Sequence, residues 1–238
     1  SNIYYIEKGK EKVRLQNYYS PNGEYVEIPM DTRLSPSANA QKYYKHYNKS
    51  KNAINKINIQ IEENKQEIMY LETLLDNLDK CTEELELEEI RTELMEQGYL
   101  KTRNTSKSKQ TKKASSPMSF ISSTGFEIYV GKNNAQNDYL TLKLADNRDI
   151  WLHAKEIPGS HVIIKTRGKD TDDATIKEAA NLAAYYSRGR MSSKVPVDYT
   201  IKKNVKKPNG AKPGMVIYEN YSTIYITPDE EKMNSMKK

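Results

Sequence analysis

The chain has 238 residues, room for one or two domains; 29% of them are charged and the mean hydropathy is −0.88, the composition of a soluble protein with much exposed surface. No run approaches the roughly 20 apolar residues that span a bilayer, and the single cysteine, Cys81, excludes an internal disulfide and points to a reducing, cytoplasmic setting. The net charge of +6 is unevenly placed: residues 1 to 100 carry 13 basic and 18 acidic side chains, 101 to 117 carry six and none, and 118 to 238 carry 19 and 14, so an acidic arm precedes a basic half suited to polyanions.

Residues 1 to 35 contain two alternating stretches, Ile3 to Ile6 and Tyr25 to Ile28, around a Pro21-Asn22-Gly23 turn, and are expected to form two short strands. From Ser37 the period becomes helical. Tyr47, Ile54, Ile57, Ile61, Ile68, Leu71, Leu75 and Leu78 recur at spacings of 7, 3, 4, 7, 3, 4 and 3, a heptad seam with Asn64 at one inner position. A helix over 38 to 80 would be roughly 60 Å long, and its seam needs a partner. Leu87, Ile90 and Leu94, followed by Gly98, mark a second helix able to fold back. That helix is too short to cover the first, so either the first breaks near Asn64 or part of the seam meets another chain. Residues 36 to 100 are read as a coiled-coil arm.

Residues 101 to 117, KTRNTSKSKQTKKASSP, hold no acid and no large apolar side chain, and read as a basic flexible linker, either a plain tether or a segment lying along phosphates. In residues 118 to 238 strands are expected near 119–130, 139–144, 149–153 and 161–165, a helix near 174–188, and strands near 196–203, 214–218 and 221–226. The expected fold class is α+β: a long helical coiled-coil arm followed by a compact, mostly antiparallel sheet domain with a packed helix. Ile176, Ala180, Ala183 and Ala184 would pack that helix on the sheet, with Arg188 and Arg190 at its C-terminal end, where the macrodipole favours cations.

Three groups carry candidate recognition chemistry. The turn Gly131-Lys132-Asn133-Asn134, with Asn137 and Asp138, sets amide donors and acceptors beside a lysine, a combination that reads a base edge or a ribose hydroxyl; the same asparagines also serve simply to close a turn. The strand around Asp149 to His153 is read with Trp151 on one face and Asp149 and His153 on the other, before Pro158-Gly159-Ser160-His161 interrupts the chain. An Asp149–His153 pair invites acid–base chemistry and two histidines invite zinc. Without a third ligand, a cysteine in this half or a nucleophile motif, no catalytic residue, metal or cofactor is expected. Trp151 reads as core, and His153, Ser160 and His161 join the RNA-contact candidates. Finally, the stretch from Arg188 to Lys212 holds eight basic residues and one acid, Asp198. Lys202, Lys203, Lys206 and Lys207, before a Pro208-Asn209-Gly210 turn, can follow a phosphate track together with Arg188 and Arg190, positioning RNA without reading its sequence. A solvated basic face is the plainer alternative.

The ordered words Gly131-Lys132-Asn133-Asn134 with Asn137-Asp138, Asp149-Ile150-Trp151 with His153, Pro158-Gly159-Ser160-His161-Val162, the Ala179-Ala180 and Ala183-Ala184-Tyr185-Tyr186-Ser187 helix, Lys206-Lys207-Pro208 and Pro213-Gly214 resemble the C-terminal domain, NFACT-R, of the NFACT family. Ile28-Pro29-Met30-Asp31, Asn39-Ala40-Gln41 and Tyr47-Asn48-Lys49 are similar to that family's entry into its middle coiled coil. The resemblance implies a C-terminal fragment, beginning Ser1-Asn2, of a factor whose missing N-terminal domain engages transfer RNA; residues 1 to 35 would be the tail of that domain. It further implies ribosome-associated quality control: binding of an obstructed large ribosomal subunit, recruitment of alanyl-tRNA, and alanine tailing of the stalled chain, with peptidyl transfer left to the ribosome and no catalysis by the fragment. The implied partners are large-subunit RNA and tRNA, with a protein partner or self-association at the coiled coil and no membrane. An older family name, fibronectin-binding protein A, supplies fibronectin as the alternative partner, and an RNA-processing enzyme built on Asp149 and His153 is the remaining rival.

Overall fold

The computed structural model describes residues 2–101 and 115–237, so most of the segment expected to be a linker lies outside the described residues. The chain packs as two compact units, Ser1–Lys65 and Gln66–Lys238. In the first, strand β1 (Lys12–Gln16) pairs antiparallel with β2 (Tyr25–Pro29), Lys12 opposite Pro29 and Gln16 opposite Tyr25. The strand expected at Ile3 to Ile6 is instead a helical turn, Asn2–Tyr5. The pairing strand is the one in which Val13 and Leu15 alternate with polar residues, a period the sequence reading overlooked. Helix α1 (Pro36–Lys80) then starts where Ser35 Oγ accepts from the Ala38 N–H, and the buried Asn39 side chain bonds both the N–H and the carbonyl of Asp31.

Helix α1 runs for 45 residues without a break at Asn64. In the second unit its last turns pack against α2 (Glu84–Glu96), burying Tyr70, Leu74 and Ile90, with Leu71, Cys81, Leu94 and Met215 around them. The face that meets α2 is therefore centred beside the heptad seam, of which only Leu71 joins it. Ile68 and Leu75 are 58% and 60% exposed, while Tyr70 is 1% exposed. The Tyr70 hydroxyl donates to Glu93 Oε1 of α2 at 2.8 Å. This bond satisfies both polar groups as they are buried, and it favours that face over a purely apolar one.

The core of the second unit is a six-stranded antiparallel sheet of order β10-β7-β5-β6-β4-β3, made of β3 (Met118–Ile121), β4 (Glu127–Val130), β5 (Ile150–Ala154), β6 (Val162–Lys165), β7 (Val195–Ile201) and β10 (Ser222–Ile226). Helix α4 (Asp173–Tyr185), capped where Asp172 Oδ1 accepts from the Thr175 N–H, covers one face with α5 (Glu230–Ser235); there its alanines meet Leu152, Val162, Ile164 and Val197. The small side chains allow the close approach the sequence predicted. On the opposite face Trp151, Ile163 and Leu140 pack with Val205 and Tyr218, which belong to a two-stranded ribbon, β8 (Val205–Lys206) and β9 (Ile217–Tyr218). No helix among the described residues is long and apolar enough to cross a membrane.

Two expectations fail here. Residues 139–144 are not a strand: α3 (Asn134–Tyr139) continues into a π-helical turn, Leu140–Leu144, in which the Ala145 N–H donates to the Leu140 carbonyl at 2.9 Å. The alternation of Leu140, Leu142 and Leu144 imitates a strand, but the Asn133 side chain caps the Gln136 N–H at 2.9 Å and starts a helix, which buries Leu140 and Thr141 instead. The division of Asp149 and His153 from Trp151 was also mistaken. Residues two apart share a face of a strand, and the Trp151 and His153 rings lie stacked 5.8 Å apart.

Candidate nucleic-acid interface

Of the candidate contact residues, those of the asparagine group turn inward. Three carboxylates spaced along one side of α2 receive them: Lys132 Nζ is 2.6 Å from Glu86 Oε1, Asn133 Nδ2 donates to Glu89 Oε2 at 2.7 Å, and Asn134 Nδ2 donates to Glu93 Oε1 at 2.9 Å. Asn137 Oδ1 accepts from the His161 N–H at 2.9 Å. Gly131 permits this approach, since a Cβ there would stand 2.2 Å from Asn137 Oδ1. Asp138 pairs with Lys207 and accepts from the Gly214 N–H at 3.2 Å. The group thus ties together α2, α3 and the loop before β9. The sequence signal for this was the spacing of Glu86, Glu89 and Glu93 at intervals of 3 and 4, one side of a helix, which the reading missed.

Asp149 is a structural node. Its carboxylate is fully buried and accepts from the Asp146 N–H at 2.7 Å, the Thr166 N–H at 2.9 Å and Lys165 Nζ at 2.6 Å. Trp151, His153 and His161 form an aromatic cluster, with the His161 ring edge-on to Trp151 at 5.2 Å and to His153 at 5.4 Å. Burial pushes the His153 imidazole down to about 4, and burial together with the neighbouring His153 holds His161 well below the usual histidine range. His161 Nδ1 lies 2.7 Å from Thr141 Oγ1. Ser160 is buried and, with Lys132 and Arg190, lines a separate cavity of about 520 Å³. Arg190 lies over the Tyr185 ring and pairs with Glu230 at 3.3 Å, and Arg188 pairs with Glu72 at 2.9 Å.

The open cations are those of the segment after β7. Lys202 and Lys203 sit in a 3₁₀ turn, Lys202–Asn204, held to the fold through their backbone N–H groups, which donate to the Asp149 and Asn147 carbonyls at 2.8 and 3.2 Å. Their side chains form no ion pair among the described residues, and Lys206 makes only a loose, exposed one with Glu219 at 3.8 Å. The backbone therefore sets three lysines within five residues, Lys203 and Lys206 exposed and Lys202 half-buried near Asp146, an arrangement that can neutralise successive phosphates. Lys207 and Lys212 are already engaged, the latter with Glu67 at 3.0 Å and above the Tyr70 and Tyr99 rings.

Residues 1–113 match the family model of the NFACT N-terminal and middle domains, and residues 117–220 that of the NFACT protein RNA binding domain. The chain is 42% identical over 240 residues to the Rqc2 homolog RqcH of Bacillus subtilis (strain 168), an alignment covering 100% of the chain and 41% of that protein. It is 44% identical over 236 residues to the Rqc2 homolog RqcH of Streptococcus suis (strain 05ZYH33), covering 99% and 42%. The chain thus spans about two fifths of the length of the curated relatives it matches. The solved structure of the C-terminal of the fibronectin/fibrinogen-binding protein from Streptococcus suis superposes with a TM-score of 0.76 at 44% identity, covering 86% of this chain and 81% of that one. With the two family models covering both halves of the sequence, the chain belongs to the NFACT family.

Proposed function

We propose that this chain is the RNA-holding part of a ribosome-associated quality-control factor: its second unit binds RNA of the large ribosomal subunit, and the whole protein recruits alanyl-tRNA for alanine tailing of stalled nascent chains. The observation that carries the reading is the row Lys202, Lys203 and Lys206, the last two exposed, on a domain that matches an RNA-binding family model. The naming of its whole-length relatives as Rqc2 homologs supports the cellular setting. The role is binding rather than bond-making. The carboxylate of Asp149, which an acid–base pair with His153 would need, is occupied by Lys165 and two backbone N–H groups. The solved relative's title names fibronectin and fibrinogen; a cluster of lysines with at most one loose ion pair among them, on a domain of this family, favours a polyanion instead.

The test is co-sedimentation with purified large ribosomal subunits across a salt series. Saturable binding should weaken with salt, and changing Lys202, Lys203 and Lys206 together to alanine should lower affinity and flatten the slope of log affinity against log salt by about two to three. Lys207 is left intact because it secures Asp138. Absence of binding at low salt, or a slope unchanged in the triple variant, would reject this surface. Immobilised fibronectin serves as the control arm, and salt-insensitive retention there alone would favour the other reading.

A further inference from the structure

Within the second unit, Trp151, His153, His161, Asn137, Met215 and Tyr218 line a cavity of about 200 Å³. The Trp151 indole N–H is buried and has no acceptor among the described residues. A buried donor left unbonded is costly and rare, and where one persists in a native fold a missing partner is the usual reason. Among the described residues no lysine or arginine contributes to the cavity wall, and its one carboxylate is Glu156. A phosphate or carboxylate would therefore enter without a counter-charge, and the two imidazoles supply none because their protonation is suppressed. The volume is below the ~300 Å³ at which drug-sized pockets begin, so the cavity holds one small ring system and leaves anything attached to it outside.

We infer that this cavity receives a single uncharged nucleobase, unstacked from single-stranded RNA, with Trp151 as a hydrogen-bond donor and the aromatic cluster as its wall. The inference deepens the proposed function and rests on it for the source of the base. Proteins that read single-stranded RNA take splayed bases into aromatic surroundings while cations hold the backbone. Both parts meet here in one ribbon: Tyr218 of the cavity wall pairs with Val205, and Lys206 follows it in the same strand.

Trp151 is the sole tryptophan, so its emission reports on the cavity directly. The experiment titrates the whole chain with a single-stranded oligoribonucleotide, a blunt RNA duplex of equal length and the four free nucleosides. It compares wild type with Thr73→Phe, which fills the cavity from the surface of α1, where the Thr73 hydroxyl bonds only the Met69 carbonyl of its own helix. Met69→Phe, from a half-exposed position, is the second blocking variant should the first perturb folding, as read by its melting curve. The single strand should change Trp151 emission saturably and the duplex should bind by charge without doing so. Either blocking variant should abolish the response and weaken single-strand binding about tenfold, the order of one base–aromatic stack. If RNA binds but emission is unchanged and the variants bind as wild type, only a water satisfies the indole and the inference is overturned while the RNA reading stands. A response to nucleosides in wild type alone, without RNA binding, keeps the cavity and removes the RNA reading. Silence with every probe removes both.

Discussion

Asn134 Nδ2 donates a 2.9 Å hydrogen bond to Glu93 Oε1, and both residues are buried. The same oxygen accepts from the Tyr70 hydroxyl at 2.8 Å, so one carboxylate joins α1, α2 and the start of α3. Burial raises the Glu93 carboxyl above its usual range, against the lowering effect of those two bonds. A carboxyl whose folded pKa is raised favours folding most at low pH, and that contribution is lost as the pH climbs through the raised value. Glu93→Gln keeps an acceptor and removes this slope, and should leave stability at pH 7 within about 1 kcal/mol. Glu93→Ala strands two buried donors and should cost about 2–4 kcal/mol in urea denaturation.

The two imidazoles of the aromatic cluster act in the opposite sense. Their folded pKa values lie below the ordinary 6.5, His153 at about 4, so the unfolded chain binds more protons just below pH 6.5. Their contribution is fully present above pH 6.5 and is lost as the pH falls below it, for His153 towards about 4. For His153 stability should drop on the order of 1 kcal/mol per pH unit in that window, and His161 adds a loss of the same sign. Denaturation midpoints at pH 7 and pH 5 check this, and His153→Gln should reduce the difference.

Breaking the Asp149–Lys165 pair should be costly, because Lys165 retains only 14% of its side-chain exposure and would keep only the exposed Asp146 carboxylate, at 2.7 Å, as counter-charge, while the Asp146 and Thr166 N–H groups lose their acceptor. Asp149→Ala is expected to lose about 3–5 kcal/mol, and adding Lys165→Met should recover part of it. Chemical denaturation of the two variants decides the matter; equal losses would mean that the backbone bonds to Asp149, rather than its charge, hold the site.

The heptad seam offers a contrasting case. Ile54, Ile57 and Ile61 are 59%, 52% and 43% exposed, so substituting each by glutamine removes little buried area. Each change should move stability by less than about 0.5 kcal/mol. A larger loss, or a melting temperature that rises with protein concentration in the wild type alone, would show that the seam is covered in solution.

Local pattern was enough for much of the fold. The unbroken period over α1, the alanine-rich face of α4, the short apolar runs of β5 and β6, and the density of lysines after β7 are properties of neighbouring residues, and short-range geometry turns them directly into helix, strand and basic surface. The direction in which the asparagines point was not of that kind. Asn134 finds its acceptor 41 residues earlier, and an amide offers the same donors to a carboxylate as to a base edge. The choice between Tyr70 and the seam as the buried face of α1, and the winding of residues 140–144 into a helix, likewise depended on which distant group arrived to satisfy a polar atom or cover an apolar one. Sequence determined which side chains carry donors, acceptors and charges, and the tertiary structure decided which of them are used up inside the protein and which stay at its surface. Hydrogen-bonding capacity is intrinsic to a side chain, but its use inside the protein depends on partners that only the folded chain brings within reach.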